Sequence, residues 1–318
     1  TPSDPSNTPM GDPKGIHPGR VVWMRDLKAT QWDGKTGNWW SESNLDQAVV
    51  NKMISRSIQK LTGAATDREA WDKIFRFHNH EPGRGDAGYK RGEKIVIKIN
   101  ANVDSGSKEW SNTGNPSPQA IYAVVSQLIE VAGVAGDNIT VAEPSRSIGD
   151  PIYKKITGNP NPEYQNVWFA SQTAVPGTRR IIPPPGTNTI VHCDPVGGRK
   201  HSLPKCYTEA AYLINLALLR PHRVFGVTLC AKNHFGSIHD GKTYTPAALH
   251  GYSTWDLGHN QLGQPHCLPG LIGHKDLGGK TILYVLDGLY TAYNNWGNAS
   301  IKKWQTLGNE WCASILMS

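Results

Sequence analysis

Five side chains that can bind anions, transfer protons or ligate metals lie within nine residues of this sequence. They are Lys232, Asn233, His234, His239 and Asp240. An apolar run over residues 212–219 precedes them and is followed directly by Arg220. A buried strand that leads into such a polar stretch is typical of a functional loop, although single His and Lys residues on loops are also often only solvated. The stretch therefore predicts a binding or catalytic site.

His234, His239 and Asp240 have the ligand types of a transition-metal site. Neutral imidazole together with carboxylate suits a divalent ion such as zinc, nickel, iron or copper. No tight signature such as His-Glu-x-x-His accompanies them, so proton transfer by His234 or His239 near neutral pH is the alternative interpretation. The five cysteines are scattered and contain no Cys-x-x-Cys pair, which argues against an iron–sulfur cluster.

Four strands and one helix are predicted to position these residues. Residues 92–102, 138–143, 212–219 and 281–287 are apolar or β-branched runs, and a helix is predicted from Pro118 to about Ala132. Strand, helix and strand in succession form a βαβ unit with parallel strands. The predicted fold is α/β, with a mainly parallel, Rossmann-like sheet flanked by helices and irregular, loop-rich insertions.

The predicted strand ends deliver further polar side chains. In open parallel sheets, ligands bind beyond the carboxyl ends of the strands. The residues found there are candidates for substrate binding, together with Asn233 of the polar stretch. They are Asn100, Asn102, Glu143, Arg220 and Asp287. Whether they converge depends on the order of the strands, which the pattern does not predict.

The domain organisation predicted from the sequence is simple. Residues 1–19 form a flexible lead, and residues 20–318 form a single α/β domain with a Pro- and Asn-rich insertion at about 149–198. A short helix is predicted from Ser300. The Trp-rich stretch 29–43 is either a surface platform or, as we favour, a long loop held by its own aromatic side chains.

Composition excludes several classes of function. The net charge of +7 is spread along the chain without a basic block, so no nucleic-acid partner is predicted. No apolar run approaches the roughly 20 residues of a membrane span, and no nucleotide motif such as Gly-x-Gly-x-x-Gly is present. Thr at position 1, followed by Pro, Ser and Asn, predicts an exported, periplasmic or secreted protein whose signal peptide has been removed.

Four stretches of the sequence resemble the uncharacterised bacterial and archaeal family called domain of unknown function 362. They are the strand 93–100 with its Lys-x-Asn end, the helix and strand that begin at Ser117, the apolar run 211–216, and 226–236 with its Lys-Asn-x-x-Gly motif. The resemblance implies an α/β fold and frequent export, and it implies no established reaction.

Lys98 becomes a candidate through this resemblance. It is the lysine of the Lys-x-Asn strand end, and with Lys232 and His234 it completes the set of candidate catalytic residues. The chain departs from the family pattern after the apolar run, where many members have Lys-x-His and this chain has Arg220-Pro-His222. Arg220 replaces the expected lysine there.

Two functions follow as hypotheses, and the sequence leaves open whether the protein is an enzyme. The first is an exported, metal-dependent enzyme acting on a small anionic or oxygenated substrate in the crevice at the strand ends. The second is a non-catalytic extracytoplasmic structural or assembly subunit, a homo-oligomer or filament with aromatic-rich surface loops. An enzyme is expected to have Lys232 and His234 open to a crevice. In a structural protein, hydrogen bonds to neighbouring groups are expected to close them off.

Overall fold

Twelve strands and eight α-helices are present in the part of the chain that the structure describes. The structure, a computed structural model, describes residues 12–80, 83–101, 114–191, 200–222, 226–238, 267–291 and 301–318. The strands are β1 Val22–Arg25, β2 Ile95–Lys98, β3 Ile139–Glu143, β4 Trp168–Ser171, β5 Arg180–Ile181, β6 Pro185–Val191, β7 Lys200–Pro204, β8 Tyr212–Leu218, β9 Arg220–His222, β10 Gly226–Thr228, β11 Thr281–Gly288 and β12 Ser314–Met317. The helices are α1 Gln47–Thr62, α2 Asp67–His80, α3 Pro118–Ser126, α4 Asp150–Thr157, α5 Pro162–Gln165, α6 Lys205–Glu209, α7 Cys230–Asn233 and α8 Cys267–Ile272.

Eight strands form the main sheet, in the order β1-β12-β11-β8-β2-β3-β4-β5. The six strands from β11 to β5 run parallel to one another, and β12 is antiparallel to both β11 and β1. All residues of β2 and β8 are buried, as expected for central strands of a parallel sheet that is covered on both faces. The predicted α/β fold with a mainly parallel sheet is confirmed.

The strand order creates a switch point between β2 and β8. From β2 the chain adds β3, β4 and β5 on one side, and it later returns to add β8 and β11 on the other side. At such a reversal, the connections leave the carboxyl ends of the two neighbouring strands in opposite directions and a crevice opens between them. In this register Lys98 of β2 lies opposite Asn215 of β8.

Alternating side chains of the central strands divide the core between the two faces of the sheet. Ile97 packs in the larger apolar cluster, which contains residues of α1 to α4. Val96 packs in the smaller cluster, together with Phe235 and Leu271. Because Lys98 is two residues after Val96, it points to the face of the smaller cluster, where the segment that begins at α7 packs.

Two stretches outside the central strands differ from simple expectation. Residues 149–198, predicted as an insertion, supply β4 and β5 of the main sheet, and the domain boundaries stay a prediction. The prediction of a short helix from Ser300 is wrong for the described residues 301–318. These residues contain one 3-10 turn, Gln305–Leu307, and end in β12. β12 pairs with strands on both sides, and these ladders satisfy its backbone groups.

The Trp-rich stretch forms an internal aromatic cluster. Trp32 is stacked on Trp311 with ring centroids 5.6 Å apart, and the ring centroid of Trp39 lies 5.5 Å from that of Tyr290. The Trp311 indole N–H donates to the Trp32 carbonyl at 2.8 Å. Trp32 and Trp39 are buried, so these rings hold the loop against the domain and do not form an aromatic surface.

Within the described residues, none of the helices has both the length and the apolar character that a bilayer span requires. The thiols of Cys206, Cys230 and Cys312 are free. Burial raises the pKa of the Cys206 and Cys230 thiols to about 12, which keeps both protonated near neutral pH.

Candidate functional site

The candidate site lies at the carboxyl ends of β2 and β3, next to the switch point. α7 and the 3-10 turn that follows it, His234–Ser237, pack against the sheet there. This placement brings Lys232, Asn233 and His234 of the polar stretch to the end of the strand that carries Lys98. The convergence that the sequence could not predict is therefore present for these four residues.

Lys98 is fully buried and forms an ion pair with Glu143. Its ammonium donates to Glu143 Oε2 at 2.9 Å, to Asn233 Oδ1 at 3.0 Å and to the Ile99 carbonyl. Three acceptors use all three protons of an ammonium. Burial lowers the pKa of Lys98, and the neighbouring Glu143 carboxylate opposes this effect. Lys98 is therefore held as the cationic partner of Glu143.

Glu143 is fixed by two further donors. The Ser145 hydroxyl donates to its Oε1 at 2.7 Å, and the Ala101 backbone N–H donates to its Oε2 at 3.2 Å. Together with Lys98, these groups occupy three of about four lone-pair directions of the carboxylate.

A directed chain of hydrogen bonds continues from Lys98 to His234. The Asn233 amide donates to the Lys98 carbonyl at 3.1 Å and to Asn215 Oδ1 at 2.8 Å. The Asn215 amide donates to the Cys230 carbonyl at 2.9 Å and contacts His234 Nε2 at 3.0 Å. Because both amide protons of Asn215 are committed, His234 Nε2 accepts, and Nδ1 donates to the Ser237 hydroxyl at 3.2 Å. This network assigns His234 to the neutral Nδ1–H tautomer.

His234 is uncharged throughout the physiological pH range. Its side chain is fully buried, and burial, with a smaller contribution from the Lys98 charge, lowers its pKa from 6.5 to about 3. The unfolded chain binds a proton at this residue below about pH 6.5, whereas the folded chain does not until about pH 3. Stability therefore falls as the pH is lowered through this window.

Because of His234, we expect the free energy of unfolding to fall by about 1–2 kcal/mol when the pH is lowered from about 6.5 to about 5. The measurement is urea unfolding of the wild type and of His234→Gln at both pH values. The variant is less stable overall, but its free energy of unfolding lacks this component of the pH dependence. Equal pH dependence in both proteins would show that His234 titrates normally in the folded state.

The metal site predicted at His234, His239 and Asp240 does not receive support from the geometry. Both ring nitrogens of His234 are engaged by protein groups, so neither has a lone pair for a metal ion. His239 and Asp240 lie outside the described residues, as does Asn102. Within the described part of the chain, no three His, Cys, Asp or Glu side chains are close enough to hold a metal ion.

A small pocket lies beside the hydrogen-bonded network that runs from Glu143 through Lys98, Asn233 and Asn215 to His234. Its volume is about 50 Å³, and its lining residues are Asn100, Glu143, Ser145, Arg146, His222, Thr228, Lys232, Asn233, Phe235 and Gly236. Lys232 is 9% exposed, and its ammonium lies 4.0 Å from the centroid of the Phe235 ring. Arg146 donates to the Ser145 carbonyl at 2.9 Å. We call this cavity the oxyanion pocket.

Two predicted substrate-binding residues are placed elsewhere. Asp287 accepts from the Ser117 backbone N–H at 2.7 Å, from the Ser117 hydroxyl at 3.1 Å and from the Leu289 N–H at 3.1 Å. It thus anchors the start of α3, and burial raises its pKa. Arg220 lines a separate, larger cavity. Both residues lie at strand ends that were expected to form the crevice, but their side chains contact other groups.

Sequence reasoning missed Asn215 and Arg146. Asn215 connects Asn233 to His234, and its signal was available as the single polar residue within the apolar strand 212–218. A lone amide in a fully buried strand requires partners, which indicates a buried polar network. Arg146 follows Glu143 by three residues in a turn and carried no comparable signal.

The site lies within a region that matches a known protein family. A sequence model of the family described as domain of unknown function (DUF362) matches residues 95–300, which include Lys98, Glu143, Asn215 and the polar stretch. No curated protein matches the chain.

Proposed function

This chain belongs to the domain of unknown function (DUF362) family, and we propose that it is an enzyme whose oxyanion pocket binds the anionic group of a small oxygenated substrate. One observation carries the proposal. The described residues that line the pocket combine three basic side chains with a single carboxylate, and that carboxylate is already paired with a buried lysine.

The charge balance of the pocket favours an anion. Arg146, His222 and Lys232 line it, whereas Glu143 is compensated by Lys98 at 2.9 Å. The nearly buried Lys232 is only partly solvated, which strengthens its attraction for a bound anion relative to a surface lysine. A carboxylate or phosphate group carries the negative charge that these basic side chains attract.

The size of the pocket limits what it holds. About 10–15 Å³ of such volume accommodates one water molecule, so the 50 Å³ found here takes a group of roughly three or four heavy atoms. Sites for whole drug-sized ligands occupy about 300–1,000 Å³. The pocket therefore binds the charged end of a substrate, and the remainder extends outwards.

The proposed chemistry is proton transfer beside the bound anion. Glu143 lines the pocket, so it is the described carboxylate placed to take a proton from the substrate. Lys232 stabilises the negative charge that develops. Lys98 and His234 act as positioning residues, since each is buried behind the pocket lining.

The alternative of a non-catalytic assembly subunit rests on aromatic-rich surface loops. Trp32 and Trp39 of the Trp-rich stretch are buried. The aromatic surface that motivated the alternative therefore lacks support at these rings, and the enzyme is the proposal we retain.

We expect Lys232→Gln to weaken binding of acetate or inorganic phosphate about 10- to 100-fold, because a charge-assisted hydrogen bond contributes about 1.5–3 kcal/mol. Isothermal titration calorimetry at low salt measures this. Lys154→Gln removes a lysine that is 74% exposed and should bind as the wild type does.

The same variants test the enzyme half of the proposal. Small carboxylates and phosphate esters are incubated in deuterated water, and exchange at the carbon next to the anionic group is followed by NMR. Exchange by the wild type and by Lys154→Gln, but not by Lys232→Gln, is the expected result. Anion binding that is equally strong in Lys232→Gln would contradict the proposed site, and binding without exchange or turnover would contradict the enzyme.

A further inference from the structure

One edge of the main sheet is open to a further strand. β1 is the first strand in the sheet order, and in the described part of the chain it pairs with β12 alone. Val21, just before β1, is 62% exposed, and Trp23 is 58% exposed. These two side chains lie on the same face of the strand, because they are two residues apart. An open strand edge with exposed apolar side chains is a template for pairing with another strand.

The ladder of hydrogen bonds shows which backbone groups of β1 point away from the sheet. Tyr284 of β11 and Ser318 exchange both of their backbone hydrogen bonds, at 2.9 and 3.0 Å. Bonding alternates between the two sides of a strand, so Met317 bonds on its other side, to its register partner Val22. Val22 and every second residue after it therefore bond to β12. The N–H and C=O groups that point outwards belong to Val21, Trp23 and Arg25.

The opposite edge of the sheet is protected against such pairing. Its strand, β5, has only two residues, and Pro183, Pro184 and Pro185 follow soon after it. Short edge strands and prolines, which have no N–H, are common means of preventing contacts between sheet edges. β1 contains neither proline nor lysine, so its edge has no comparable protection.

The segment around β1 is complementary to itself in charge. When two copies are aligned antiparallel about Trp23, Arg20 of each copy lies opposite Asp26 of the other. Arg20 donates to the Lys60 carbonyl at 2.9 Å, and Asp26 accepts from the Lys28 N–H at 3.0 Å. Both partners are neutral backbone groups, so neither hydrogen bond compensates the charge. Asp26 is in the extended conformation and continues the strand.

The outward-pointing groups restrict the possible registers. Residues that bond across the edge must be those whose backbone groups point outwards, so the register changes in steps of two residues. One step opposes Arg20 to Lys28, which places like charges opposite each other and is unfavourable. A step in the other direction opposes Asp26 to Pro18, which lies in a turn and is not extended. The register centred on Trp23 is therefore favoured.

We propose that β1 pairs antiparallel with β1 of a second copy of this chain, about a two-fold axis at Trp23. The two main sheets then become one continuous sheet. Val21 exchanges backbone hydrogen bonds with Arg25 of the second copy, and Trp23 with its own counterpart. An ion pair between Arg20 and Asp26 closes each end, as the symmetry of an isologous dimer requires.

This surface is independent of the proposed function. The oxyanion pocket lies at the carboxyl ends of β2 and β3, and three strands separate β1 from β2 in the sheet. Lys232→Gln should therefore dimerise as the wild type does. Loss of acetate binding in that variant bears on the proposed function alone.

Sedimentation velocity of the wild type at about 1 to 200 μM, at low salt, tests the pairing. We expect a dimer with a dissociation constant in the micromolar range, because one pair of edge strands buries less surface than a standard interface of about 1,600 Å². Added salt should weaken the dimer, since the ion pairs at its ends are exposed to solvent.

A charge exchange tests the register. Arg20→Glu opposes two carboxylates and Asp26→Lys opposes two cations, so each should weaken dimerisation about ten-fold or more. The double variant Arg20→Glu with Asp26→Lys restores opposite charges and should dimerise within about three-fold of the wild type. Arg91→Glu, at an exposed arginine before β2, is the matched control and should leave the dimer unchanged.

Two substitutions at Trp23 separate backbone pairing from side-chain contact. Both Trp23→Ala and Trp23→Pro remove the indole ring, but only proline also removes the N–H that points to the second copy. Trp23→Pro should be a monomer at about 200 μM, whereas Trp23→Ala should still dimerise. Urea unfolding checks that both variants are folded, and the charge exchange decides the question if Trp23→Pro is not.

Three outcomes would overturn the proposal. The first is a wild type that stays monomeric over the whole concentration range. The second is a double variant that dimerises as weakly as Arg20→Glu does. The third is a folded Trp23→Pro protein that dimerises as tightly as Trp23→Ala, which would place the interface on another surface.

Discussion

Lys98→Met is expected to lower the free energy of unfolding by about 3–5 kcal/mol, the cost of breaking a buried ion pair by removing one partner. The side chains of Lys98 and Glu143 are 0% and 4% exposed, and their charged atoms are 2.9 Å apart. Methionine fills a similar volume but leaves the Glu143 carboxylate buried without its counter-charge. It also leaves Asn233 Oδ1 without its donor.

Urea unfolding at neutral pH measures this loss. The matched control is Lys94→Met, which breaks an equally short pair, Lys94 with Glu209 at 2.8 Å, whose side chains are 52% and 40% exposed. That change should cost about 0–1 kcal/mol, because water already screens the exposed pair.

The double variant Lys98→Met with Glu143→Gln should recover part of the loss, since no buried charge then lacks a partner. Equal stability of Lys98→Met and Lys94→Met would mean that Lys98 and Glu143 are not a buried pair in solution. The hydrogen-bonded network that Lys98 forms with Glu143 and Asn233 would then be absent.

Gly236→Ala is expected to disturb the oxyanion pocket without changing its charge. A methyl group at this position would lie 2.1 Å from Glu143 Oε1 and 2.8 Å from the Ser145 hydroxyl. The carboxylate cannot move away freely, because Lys98, Ser145 and the Ala101 N–H all hold it. Overpacking of this kind costs about 1–3 kcal/mol of stability.

The shifted carboxylate should also weaken anion binding. Acetate titration and urea unfolding of Gly236→Ala are compared with those of Gly270→Ala. Gly270 lies within α8, and no neighbouring atom of the described residues lies within 4 Å of the position that its methyl group would take. Alanine there should stabilise the helix by up to about 1 kcal/mol and leave binding unchanged. A Gly236→Ala protein with native stability and native acetate affinity would show that Glu143 is not fixed where the pocket requires it.

Lys232 and His234 were both expected to be open to a crevice in an enzyme and closed off in a structural protein, but the two residues differ. His234 is closed in by Asn215 and Ser237, as expected of a structural residue. Lys232 lines the oxyanion pocket, as expected of a binding residue. This division is typical of a site in which an inner set of residues holds an outer set in position. The inner set contains Lys98, Asn215 and His234, whereas Glu143 and Lys232 line the pocket.

The central strands and the polar residues at their ends were predictable from the chain itself. β2, β3, β8 and β11 are the runs that β-branched and apolar composition indicated, and Lys98, Glu143, Asn233 and Lys232 do meet. Two general rules place the ends of these strands at one edge of the sheet: strands linked through helices run parallel, and parallel strands end at the same edge. That the side chains meet there depends also on the order of the strands, which the sequence pattern did not predict.

The order of the strands, and with it the direction of each side chain, was decided by tertiary contacts. Pairing of β2 with β8 joins residues more than 100 positions apart, and no local propensity encodes such a pairing. For this reason Asp287 was assigned to the crevice although it anchors α3, and Arg220 was assigned to the same crevice although it lines a separate, larger cavity.

The amino-acid sequence by itself determined the α/β fold, the central strands and the presence of a polar cluster after β8. Residue type and spacing are enough for these, because helices and strands have local hydrophobic periods. Only the tertiary structure decided that Lys98 and His234 are enclosed by their hydrogen-bond partners while Lys232 lines a pocket, and that Asp287 anchors the start of α3. Burial and hydrogen-bond partners depend on segments that are distant in sequence, so they emerge only when the chain is packed.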